Sequence, residues 1–122
     1  MSPVDFYDVI RQVVNELPGE LRRSIANVAI VVEERADEET MELAEVDDPL
    51  ALFGFYHGIP LTERTHDYGL VPPDKISIYR QPILHTCKTD DQVRARIKRT
   101  VRHELAHYFG LDDDRLEELG AY

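Results

Sequence analysis

The sequence predicts a chain of mixed helical and β structure, with helices toward both ends and short strands between them. Three observations carry that expectation. Phe6, Val9, Ile10, Val13, Val14 and Leu17 recur at the spacing of one helix face. Asn27–Val32 is a compact β-branched run, and Asp74–Arg80 alternates at period two. Thr89 opens a capping box with Gln92 three residues on, which starts a second long helix.

A length of 122 residues suits one domain spanning 1–122. Such a chain buries about two thirds of its unfolded surface, enough for a real core. No apolar run approaches membrane length, and Met1–Asp5 leads straight into an amphipathic segment, so neither a membrane partner nor a signal peptide is expected. Cys87 is the single cysteine, which excludes an internal disulfide and a cysteine-rich metal site and favours a cytoplasmic home. The net charge of −10 argues against a nucleic-acid partner. That charge is uneven. Residues 1–85 hold 16 acids and 7 bases, whereas residues 86–122 hold 8 and 7. The arginines of the second long helix can therefore pair with acids elsewhere in the fold or with a substrate carboxylate.

Taken in order, Ser2 is a helix cap, Pro3 suits the first helical position, and Asp5 favours the positive end of the dipole. Pro18-Gly19 ends that helix, and Glu20–Ser24 suits a short helical turn. After the strand at 27–32, Glu33–Asp48 carries nine acids and one arginine. It reads as a surface loop or loose helix, with an acidic lid or a patch for a basic partner as the functional alternative. Leu50–His57 reads as a strand, with Gly54 marking a bulge or a close backbone approach. Pro60–Pro73 is an irregular polar connection. Gln81-Pro82 stops the strand at 74–80, and Ile83–His85 can cover one end of the core. The helix from Thr89 should run to Phe109 with Val93, Ile97, Val101, Leu105 and Tyr108 as its apolar stripe. Asp112–Asp114 can start a last short helix, with Leu116 and Leu119 packing back.

The stretch from His103 to Asp113 reads H-E-x-x-H-x-x-G-x-x-D. Residues four apart on a helix lie one turn apart on nearly the same face, so His103 and His107 can offer two imidazoles to one metal ion. Glu104 can lean over the same site without binding the metal. Two neutral nitrogens and a nearby base are what a bound water needs to become a nucleophile at neutral pH. Gly110 can end the helix in the left-handed conformation, and a sharp turn there can bring Asp113 to the open side. Asp112 and Asp114 flank it, and composition does not choose among the three. His57, His66 and His85 have no spaced partner. Tyr68 and Tyr79 are candidate donors to an oxyanion, more simply read as buried tyrosines.

His103–Asp113 resembles the zincin metallopeptidases. Gly54–Arg64, Ile76–Leu84 and Asp112–Leu116 add a likeness to the minimal zincins, a family of small bacterial metallopeptidase-like proteins. The resemblance implies an α+β fold in which a small mixed β-sheet packs against the N-terminal helix and a metal-bearing helix. It implies Zn²⁺ held by His103, His107 and Asp113, with Glu104 as general base. The chain departs from larger zincins. Nine residues follow Asp113, leaving no room for the methionine turn of longer relatives. The expected activity is hydrolysis of a peptide or protein substrate, whose backbone can add to an edge strand at Leu52–His57. The alternative is a metal-binding module with little or no peptidase activity, which the small size and missing cleft walls favour.

Overall fold

The computed structural model describes residues 4–25, 28–58 and 74–110. Helix α1 (Phe6–Glu16) begins later than expected, because Asp5 is its cap: the carboxylate accepts the Asp8 N–H at 3.2 Å. Ser2 and Pro3 lie outside the described residues, as do the start of the first strand at Asn27, the connection Pro60–Pro73 and the final segment beyond Gly110. Leu17, ahead of Pro18, is extended and ends α1. Helix α2 (Gly19–Ser24) and strand β1 (Ala29–Glu33) follow.

The acidic stretch takes the helical alternative, α3 (Glu38–Leu43), because Asp37 caps it through the Thr40 N–H at 2.8 Å and Thr40 is buried. Two other expectations change. Leu50 and Ala51 belong to a 3-10 turn (Pro49–Ala51), because Asp48 caps the Leu50 N–H, so strand β2 is only Gly54–His57. Strand β3 (Lys75–Tyr79) passes directly into helix α4 (Arg80–Thr86). Pro82 does not prevent this, since a proline in the first turn forfeits an N–H that has no partner within the helix. Helix α5 (Asp90–Phe109) completes the described chain.

The fold is α+β. Among the described residues five helices accompany a three-stranded mixed sheet of order β1-β3-β2, with β1 parallel and β2 antiparallel to the central strand. Ile76 stands opposite both Ile30 and Tyr56. Strand alternation puts Ile76 and Ile78 on one face with Ile30, Val32 and Tyr56. Helices α1 and α5 cover that face, and Val13, Ile97, Val101 and Leu105 join the core at 1% exposure or less. Tyr108 Oη donates to the Ser24 carbonyl at 2.7 Å, and Arg102 reaches Glu16 at 2.9 Å. No helix among the described residues is long and apolar enough to cross a membrane.

The second face of β3 was expected to be exposed and is buried. The cause is a polar network. Ser77 donates to Glu33 at 2.8 Å, Lys75 donates to the same carboxylate oxygen at 3.2 Å, and His57 Nε2 lies 3.4 Å from Ser77 Oγ. Burial first, and then the Lys75 ammonium, hold His57 below the usual imidazole range. Burial pushes the Tyr79 phenol up.

A pH dependence follows from His57. The folded chain takes up its proton less readily than the unfolded chain, so this contribution to stability is complete above about pH 6.5 and is lost as pH falls through the lower folded value. The fall in thermal midpoint between about pH 7 and about pH 5 should be smaller in His57→Gln than in the native chain. Equal falls would refute it.

Candidate metal centre

Helix α5 is specified at both ends and along one side. Thr89 Oγ1 accepts the Gln92 N–H at 3.1 Å, while Gln92 Oε1 reaches back to the Lys88 N–H at 2.7 Å. The expected stripe of Val93, Ile97, Val101, Leu105 and Tyr108 is buried throughout. Gly110 ends the helix at φ 70° and ψ 31°, and its N–H returns to the His107 carbonyl at 3.0 Å. The termination therefore comes three residues after the second histidine of the motif.

His103, Glu104 and His107 meet beside the buried stripe. One ligand atom from each lies within 4.8 Å of the others. The two imidazoles stand edge to face, with centroids 4.6 Å apart. Glu104 Oε2 is 3.4 Å from His107 Nδ1. A carboxylate there favours a proton on Nδ1 and so orients the ring. The burial of the three is graded. The Glu104 side chain is 9% exposed and that of His107 51%. Two imidazole nitrogens at this separation suit zinc as ligands, with the carboxylate beside them placed to act on a bound water.

Gly54 puts the sheet against this cluster. A Cβ at that position would come 2.6 Å from Thr100 Cγ2, 3.0 Å from the Ser77 carbonyl and 3.4 Å from Glu104 Cγ. The close approach expected at Gly54 is thus the contact that buries the Glu104 stem. Beside it opens a cleft of about 270 Å³ bordered by Phe53, Gly54, Arg96, Arg99, His103 and Glu104. The Arg96 guanidinium lies over the Phe53 ring, 4.6 Å from its centroid.

The three residues of the H-E-x-x-H core come together, and Asp113 lies outside the described residues with Asp112 and Asp114. His66 and Tyr68 lie outside them too. Tyr79 is on the sheet face turned away from α5, and His85 is exposed on α4. Arginines of α5 were expected to face acids or a substrate carboxylate without being singled out, and the cleft is bordered by Arg96 and Arg99, with Thr100 beside them. Their signal was present, since they precede His103 by seven, four and three residues and so share its helix face.

A family model described as zincin-like metallopeptidase matches residues 25–121. Among solved structures, a conserved hypothetical protein from Thermo thermophilus is similar over 94% of each chain, at 22% identity and a TM-score of 0.52. At that identity the likeness is one of fold. No curated protein matches the chain.

Gly54→Ala should cost about 1–3 kcal/mol, the usual penalty for overpacking a close contact. Adding Thr100→Ser removes the nearest methyl and should restore part of the loss. Denaturant unfolding of the single and double variants measures both effects, and an unaltered Gly54→Ala midpoint would contradict the close approach.

Proposed function

The chain belongs to the zincin-like metallopeptidase family, and on that premise we propose that it is a zinc-dependent peptidase. The observation that carries this reading is the cluster of His103, Glu104 and His107 at one end of an open cleft. In the proposal His103 and His107 hold the metal through imidazole nitrogens, and Asp113 is the third ligand. When bound, zinc supplies Lewis acidity, which acidifies water and polarises a carbonyl. Glu104 takes a proton from the attacking water and delivers it to the leaving amine. Burial of its stem under Gly54 fixes where that carboxylate sits. Among the described residues β2 is an edge strand, so its outer side is available to the backbone of an extended peptide.

A second reading rests on the half-exposed His107. A site that stays open to water loses electrostatic stabilisation. On this reading the protein binds metal and a partner with little turnover.

Purified protein should carry about one zinc per chain, the stoichiometry of a single site with three protein ligands. His103→Ala with His107→Ala should abolish it; full occupancy in that double variant would end the proposal. Asp113→Ala should weaken zinc in a calorimetric titration far more than Asp112→Ala or Asp114→Ala.

Glu104→Gln separates the two readings. It should retain zinc and the fold, while any hydrolysis in a peptide-library screen falls by ~10²–10⁴, the usual worth of a general base. Retained hydrolysis would remove Glu104 from the mechanism. No cleavage by the native zinc-loaded chain would favour the binding module.

A further inference from the structure

The cleft has a charge of its own. Arg96 and Arg99 border it on the side of α5 that leads away from the histidines. In a chain of net charge −10, several basic side chains face acids: Arg11 faces Asp8, Lys75 faces Glu33, Arg80 faces Glu34, Arg94 faces Asp91 and Arg102 faces Glu16. Among the described residues neither Arg96 nor Arg99 has a carboxylate partner, and Arg96 instead rests on the Phe53 ring. An arginine held by an aromatic face keeps its planar donor fork presented to the cleft.

We propose that Arg96 and Arg99 form a subsite for a carboxylate of the peptide substrate. The inference rests on the peptidase reading and names the substrate class: peptides with a negative charge close to the bond at the histidines. Guanidinium favours this chemistry, because its paired N–H donors match the two oxygens of a carboxylate. Spacing sets the position. At a helical rise of 1.5 Å, Arg99 and Arg96 lie roughly 6 and 10 Å along the axis from His103. An extended chain covers roughly 3.3–3.6 Å per residue. The carboxylate therefore belongs about two to three residues from the scissile bond. It is either the chain's own C-terminus or an acidic side chain at that distance.

The test is calorimetric binding to the zinc-loaded Glu104→Gln protein, in which turnover does not interfere. Three N-blocked peptides of the same length are compared: a free acid, its C-terminal amide, and the amide with glutamate near its end. The amide should bind about tenfold more weakly than the acid, as expected for a lost charge-assisted pair. Adding Arg96→Gln with Arg99→Gln should erase that difference, while Arg94→Gln, on the same helix, should leave it intact. Restored affinity in the glutamate peptide assigns the subsite to a side chain; no restoration assigns it to the terminus. Equal binding of acid and amide overturns the proposal, and so does a preference that survives loss of both arginines, which places the carboxylate elsewhere. Peptide cleavage by the native chain without a carboxylate preference would sink the subsite and spare the peptidase. An arginine-dependent preference without any cleavage would do the reverse.

Discussion

The absence of a side chain at Gly54 sets the distance between sheet and helix at the point where the chemistry is gathered. A methyl on the β2 backbone at this point would run into Thr100 and the Ser77 carbonyl of the central strand and touch the Glu104 stem. One turn of α5 is pinned by this contact. That turn carries Glu104 inward, leaves His103 and His107 outward, and keeps Phe53 under Arg96. A wider gap would hydrate the carboxylate and let its rotamers spread, and effective chemistry needs positions held to a fraction of an ångström. The packing fault a methyl would introduce at residue 54 is thus also a fault in the site.

The two faces of the sheet are held by different forces. Toward α1 and α5 the contacts are apolar, and each fully buried Ile or Val contributes about 1.5–3 kcal/mol against leaving it in water. On the other face Ser77, Lys75, Glu33 and His57 make polar contacts, and their value depends on every partner being present. Glu33 accepts from both Ser77 and Lys75. Removing either donor leaves the other to satisfy a partly buried carboxylate, which is costlier than the small net value of one hydrogen bond. The apolar face supplies most of the driving force, and the polar face constrains which residues can stand beside β3.

The parts legible in the sequence were those with local causes. The extent of α5 follows from the Thr89–Gln92 box and from Gly110, and its buried side from the 3.6-residue period. The pair of histidines and the glutamate between them meet because helix geometry alone brings them together. What escaped depends on distant chain. Nothing near Lys75–Tyr79 says that Glu33 will bury the strand's second face, since that partner is more than forty residues earlier. The helical fate of residues 80–86 was hidden by a proline that reads as a stop. The start of α1 was ambiguous because Ser2 and Asp5 are both good capping residues by type, and the cap ahead of Phe6 is Asp5.

The sheet also has a history during synthesis. Among the described residues β1 pairs only with β3, and Ile30 must wait 46 residues (76 − 30) for Ile76 to emerge. Until then a nascent chain carries Ala29–Val32 as an apolar segment with both edges open, the kind of segment that pairs with copies of itself. The nine acids of Glu33–Asp48 follow it immediately. Two such chains brought edge to edge would align those acids against each other, and like-charge repulsion opposes the encounter at the moment the strand is most exposed. When β3 arrives with Lys75 and Arg80, two of those carboxylates gain counter-charges at Glu33 and Glu34. The same residues that discourage the wrong pairing then close the right one.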